Sequence, residues 1–110
     1  MISQRLATAS TIPFVLALLA EGESYGYRLI QRVRALSDGE LDWSEGMLYP
    51  VLHRLTREGL VEARWDDEGG GRRRRYYRLT AEGRAALDAE RAEWERVQHA
   101  LAALWSPRHA

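Results

Sequence analysis

Two short alternating runs, separated by an acidic pair and three glycines, constrain this chain more than any other feature. From Leu60 to Asp66, Val61, Ala63 and Trp65 fall on one side, and Glu62, Arg64 and Asp66 on the other. From Arg73 to Leu79, Arg75, Tyr77 and Leu79 alternate with Arg74, Tyr76 and Arg78. A period of two belongs to a strand, because successive side chains point to opposite faces. Asp67-Glu68 and Gly69-Gly70-Gly71 lie between the runs, so they predict a β-hairpin with a flexible tip.

The rest of the chain has the helical period. Thr11-Ile12-Pro13 reads as a helix start, because proline is tolerated in a first turn. Residues 1–10 would then be a loose arm or an early helical turn. The helix running on through Phe14, Val15, Leu16, Leu18 and Leu19 is apolar on nearly every side and needs more than one covering surface. Ser24 is the expected N-cap of a second helix over 25–36, with Tyr25, Leu29, Val33 and Leu36 on its inner face. Leu41-Asp42-Trp43 reads as a short extended piece. Ser44 then caps a third helix, with Glu45 in its first turn, where the dipole favours an acid. Met47, Leu48, Val51, Leu52 and Leu55 keep the period, Pro50 predicts a kink or a tight first turn, and Gly59 closes the helix.

Thr80 caps a last helix over 81–105, roughly 38 Å long at the usual rise per residue. That exceeds what a core of this size needs. Leu87, Trp94, Val97, Leu101 and Leu104 recur in a heptad-like seam that Trp105 extends, and such a seam near a terminus usually packs on another subunit. The order is three helices, a hairpin and a long helix. The fold class expected is mainly α with a small β-hairpin: a winged helix-turn-helix over 1–80 and a C-terminal dimerisation helix within 81–110.

Composition limits the function. The chain has 110 residues and no cysteine, so disulfides, thiolate metal sites and thiol nucleophiles are excluded. His53, His99 and His109 do not cluster as ligands, and no glycine-rich loop precedes a helix, so neither a metal, a cofactor nor an enzymatic activity is expected. The longest apolar run, Ile12 to Ala20, falls far short of a membrane span. Without a basic leader, a soluble cytoplasmic protein is expected. The 16 basic residues, all arginine, balance 16 acids. Local fields matter more than totals, and Arg72, Arg73, Arg74, Arg75 and Arg78 form one basic cluster on the second hairpin strand.

Several segments together resemble the PadR-like family of bacterial transcriptional regulators. They are Tyr25-Gly26-Tyr27, Gly39-Glu40-Leu41, Ser44-Glu45-Gly46-Met47-Leu48-Tyr49-Pro50, Leu52-His53-Arg54-Leu55, Glu58-Gly59-Leu60-Val61 and Gly70-Gly71 through Thr80. The likeness covers about residues 11–85. Met47 stands where the family usually has Thr or Ser before Leu-Tyr-Pro, and the wing is all arginine where the family often mixes in lysine. The short tail resembles the family's small, homodimeric branch. There a lactococcal multidrug-sensing member carries a Trp-x-Arg-Val run, as in Trp94-Glu95-Arg96-Val97, beside a pore where flat aromatic drugs stack.

The resemblance implies a bacterial repressor that is nucleoid-associated when bound to DNA. Its partners would be a double-stranded operator, a second copy of itself and a flat aromatic or phenolic effector. Ser44, Glu45 and Met47 open the recognition helix, where side chains first meet base edges. Tyr49 is implied to touch phosphate. His53 and Arg54 read equally well as surface ion-pairing groups. Tyr27 and Arg28 face the backbone from the second helix. Arg72, Arg73, Arg74 and Arg75 belong to the wing; as a solvated edge they would only discourage aggregation. Alternation keeps them from all facing one duplex, with Arg73 and Arg74 best placed. Trp94, Val97 and Gln98, with Thr8 and Ile12 from the first helix, are the candidate effector site. The bland alternative has Trp94 simply filling the seam. Trp43 and Trp65 read as core or hairpin packing. A winged helix used for protein assembly, or a DNA-binding regulator without an effector, are the alternative functions.

Overall fold

The computed structural model describes residues 1–66 and 73–106. Its elements are α1 (Gln4–Ala20), β1 (Ser24–Tyr25), α2 (Gly26–Leu36), α3 (Glu45–Arg57), β2 (Val61–Asp66), β3 (Arg74–Leu79) and α4 (Ala81–Trp105). The strands form one antiparallel sheet in the order β1-β3-β2. The hairpin tip expected at Asp67–Gly71, together with Arg72 and His109, lies outside the described residues.

Helix α1 begins seven residues before the expected start. Ser3 Oγ accepts the Leu6 amide at 3.2 Å and makes the N-cap. Pro13 therefore sits inside the helix, where a proline costs about 3 kcal/mol. Burial outweighs that cost: Val15 and Leu16 are fully enclosed and Leu18 and Leu19 nearly so, each contributing about 1.5–3 kcal/mol. As its apolar circumference implied, α1 is covered on several sides, by α2, β3 and α4.

Ser24 is not a helix cap. It pairs with Tyr77 across the sheet, while Tyr25 pairs with Tyr76 and occupies the N-cap position of α2 without a side-chain bond. The third strand is therefore here. Residues 41–44, expected to include an extended piece, have no regular structure. Leu41 and Trp43 instead act as buried anchors, and the Leu41 amide is held by Ser37 Oγ at 2.9 Å.

Helix α3 starts where expected, with Ser44 Oγ accepting the Met47 amide at 3.1 Å. It ends in a paired cap: Gly59, at φ +78°, donates to Thr56, and Leu60 donates to Leu55 at 3.0 Å. The hairpin register sets Val61 opposite Leu79, Ala63 opposite Tyr77 and Trp65 opposite Arg75, so the expected faces hold. Leu48, Leu52 and Leu55 of α3 join Leu29 and Val33 of α2, Val61 and Tyr77 in a single core.

Thr80 caps α4 as expected, its Oγ1 accepting the Gly83 amide at 3.0 Å. Gly83 lies so close to the hairpin that a Cβ there would run into the Leu60 carbonyl. Ala86 and Leu87 still pack on the core. Beyond Ala92 every described residue of α4 is exposed, and the molecule is drawn out to 62 × 29 × 20 Å.

Candidate nucleic-acid interface

A groove of about 850 Å³ runs between α3 and the wing, lined by Tyr25, Tyr27, Glu45, Tyr49, His53, Trp65, Arg73, Arg74, Arg75 and Tyr77. Seven of the residues expected at DNA meet there: Tyr27, Glu45, Tyr49, His53, Arg73, Arg74 and Arg75. Tyr49 is half-buried and its hydroxyl fits against Gly26, where a Cβ would stand only 2.6 Å from that oxygen. The missing side chain at the start of α2 thus sets how deep Tyr49 sits. Tyr27, at 58% exposure, stands on the same rim.

The wing arginines lie on aromatic rings. Arg73 and Arg75 approach the Trp65 ring at 4.6 and 5.2 Å. Arg74 and Arg28 both approach Tyr25, at 4.6 and 4.8 Å. A guanidinium over an aromatic face is attracted by the ring quadrupole while its N–H edge stays open to an acceptor. Other arginines pair with carboxylates. Arg64 makes two bonds to Glu23, at 2.8 and 2.7 Å, Arg32 binds Glu21, and Arg78 binds Glu62. The bonded Arg64 holds the Glu23 carboxyl below its ordinary range. Burial raises the Tyr77 phenol, an effect partly offset by the charge of Arg75.

Arg28 reaches the edge of this groove over Tyr25 and Arg72 lies outside the described residues, while the other three residues expected at DNA are placed elsewhere. Met47 is partly buried against the core. With Ser44 and Arg54 it lines a second groove, of about 550 Å³, against α1 and residues 40–43. The Ser44 hydroxyl oxygen accepts the cap bond, and Arg54 pairs with Glu58 at 3.1 Å. Thr8 and Ile12 line this second groove too, whereas Trp94, Val97 and Gln98 lie on the exposed half of α4. Within one chain these five residues do not meet in one cavity. Of the expected dimer residues, Leu87 packs on its own core; Trp94, Val97, Leu101, Leu104 and Trp105 are exposed.

Tyr25, Trp65 and Tyr77 were not singled out for this surface by the sequence. A signal existed for Trp65, since alternation with the expected register puts it beside Arg75 on one face. Tyr25 gave none, because its position depends on a two-residue strand. Among the described residues no three His, Asp or Glu side chains form a metal-binding group, and no helix is long and apolar enough to cross a membrane.

Comparison with known proteins agrees with this arrangement. Residues 15–89 match the model of the transcriptional regulator PadR-like family. A transcriptional regulator of Mycobacterium tuberculosis is 42% identical over 80 residues, covering 71% of this chain and 69% of that protein. An Escherichia coli transcriptional regulator is 30% identical over 89 residues, 81% of this chain but only 41% of the relative. A solved transcriptional regulator from Clostridium thermocellum superposes with a TM-score of 0.86 at 29% identity, covering 96% of this chain and all of that one. With three helices, a wing and a long last helix in that order, and with a family match across most of its length, this chain belongs to the PadR-like family of transcriptional regulators, which are DNA-binding proteins and not enzymes.

Proposed function

We propose that the chain works as a homodimeric, ligand-responsive repressor on a pseudo-palindromic operator. The observation that carries the DNA contact is the meeting of Glu45, Tyr49 and His53 on α3 with Arg73, Arg74 and Arg75 along one groove. Each α3 enters a major groove and the wings hold flanking phosphates, which fix register without reading sequence. Net neutrality does not oppose this, because the positive charge is concentrated on the wing. The dimer rests on the outer half of α4. Its apolar residues Trp94, Val97, Leu101 and Leu104 follow steps of three, four and three on an uncovered helix.

The effector site of this reading is beside Trp94, Val97 and Gln98. Thr8 and Ile12 enter it only where a second subunit lays its own α4 near α1. An aromatic or phenolic molecule there would alter the spacing of the two recognition helices and so their fit to half-sites about one turn apart. The exposure of Trp94 also supports a simpler regulator, without effector, whose tryptophans fill the seam. A panel of flat aromatic compounds separates the two. Quenched tryptophan emission with weakened operator binding supports sensing, and no change in either supports the simpler regulator.

Titration of labelled DNA from the gene's own promoter tests the main reading. Saturable binding in preference to unrelated duplex is the expected result. Absence of binding even at low salt would instead favour a protein-assembly role for the winged helix.

A further inference from the structure

Two cations share one ring at the edge of the wing, and among the described residues no carboxylate is ion-paired with either. Arg28 of α2 and Arg74 of β3 lie 4.8 and 4.6 Å from the centroid of Tyr25, and both are exposed. The acids nearest Arg28 in sequence, Glu21 and Glu23, are each engaged by two bonds, from Arg32 and Arg64 respectively, and Asp66, opposite Arg74 in the sheet, lies 3.9 Å from Arg64. Among the described residues no carboxylate lies within ion-pair distance of Arg28 or Arg74. Two like charges drawn to one ring repel each other. An anion placed to meet both would relieve that repulsion.

The ring is itself held in place. Tyr25 pairs with Tyr76 in the sheet and meets it edge-on at 5.3 Å. Tyr76 in turn lies under Arg64 at 4.9 Å, and Arg64 is fixed by Glu23. A ladder thus runs from a neutralised pair, Glu23 and Arg64, through two tyrosines to Arg28 and Arg74, which have no carboxylate partner among the described residues. Tyr25 joins two elements far apart in sequence, the start of α2 and the start of β3, and lines the groove beside α3.

We infer that Arg28 and Arg74 form one clamp for a single backbone phosphate of duplex DNA, with Tyr25 as the positioning residue that holds both guanidiniums to it. The inference rests on the DNA-binding reading above and adds a shared site and a role for Tyr25 to it. Tyr25 contributes its ring face, not its hydroxyl. Stacking orients each guanidinium, so less freedom is lost when a phosphate oxygen is bound.

The experiment uses the whole protein and a mixed-sequence duplex, because a phosphate contact carries no sequence information. Affinity and its salt slope are measured for wild type, Arg28→Gln, Arg74→Gln, the Arg28→Gln/Arg74→Gln double variant, Tyr25→Phe and Tyr25→Leu. Each single arginine variant is expected to bind about 3–10-fold more weakly. The double variant should lose less than the product of the two, because the second cation has no complete clamp left to break. Its salt slope should be about two units shallower, the value for one lost phosphate in each subunit of the dimer. Tyr25→Phe should match wild type and Tyr25→Leu should resemble the double variant. In the double-variant background Tyr25→Leu should cause no further loss. Independent, multiplicative losses from Arg28 and Arg74 overturn the shared clamp. An equal loss from Tyr25→Leu with and without the two arginines overturns the positioning role. A wild-type protein that fails to bind any duplex contradicts the DNA-binding reading itself, a different outcome from either.

Discussion

Two tryptophans are about equally exposed and are surrounded by opposite chemistry. Trp65 in the wing is 50% exposed and has Arg73 and Arg75 over its ring. Trp94 on α4 is 40% exposed, and no cation of the described residues lies over it. Its neighbours at helical spacing are Val97, Leu101 and Leu104, which are also exposed. Exposure alone therefore does not say what an aromatic side chain is for. Trp65 is an apolar platform under charges, suited to a polar, anionic partner. Trp94 belongs to an apolar stripe, suited to a like stripe or a flat apolar molecule.

The comparison breaks if the two sites respond to the same changes. The largest expected effect is on α4. Leu101→Asp, which buries a charge in the proposed seam, should shift the protein from dimer to monomer at micromolar concentration in sedimentation, a change of several kcal/mol. Its operator affinity should fall with it. A Leu101→Asp protein that stays dimeric would remove α4 from the interface.

Next is packing where α4 meets the body. Gly83→Ala puts a methyl against the Leu60 carbonyl, and overpacking of this kind costs about 1–3 kcal/mol in denaturant unfolding. Unchanged stability would mean that α4 can slide on the hairpin. On the wing, Trp65→Leu should weaken duplex binding by about 3–10-fold, the scale of lost stacking under two arginines. Dimerisation should stay intact and Trp65→Phe should recover most of the loss. Equal binding by Trp65→Leu would reduce Trp65 to hairpin packing.

The smallest effect is at high pH. The unfolded Tyr77 phenol loses its proton near pH 10, while the folded one keeps it to higher pH because burial raises its pKa. The unfolded state then binds fewer protons, so stability is full below pH 10 and falls as pH rises above it. Tyr77→Phe should flatten that fall in pH-dependent unfolding. An unaltered alkaline slope in the variant would trace it to another group.

Most of this architecture is readable from the residues, for local reasons. The caps at Ser44 and Thr80, the Gly59 stop and the hairpin faces follow from side-chain chemistry within a few positions. Two misreadings have one cause, a tertiary contact that local rules do not see. Pro13 looks like a first-turn proline, but the burial of Val15 and Leu16 carries α1 through it. Ser24 looks like a cap, but the edge of β3 claims it as a strand. At the interface, the basic cluster and α3 are visible in sequence. The aromatic rings under the arginines are not, because each pairing depends on where Tyr25 and Trp65 land in the sheet.

The central claim is that α3 and the wing form one DNA surface whose affinity comes chiefly from phosphate contacts. The direct test is operator affinity measured against salt concentration for the wild-type protein. Two subunits, each engaging about three phosphates, predict a log–log slope of about −5. A slope near zero, or no binding at 50 mM salt, would contradict the account.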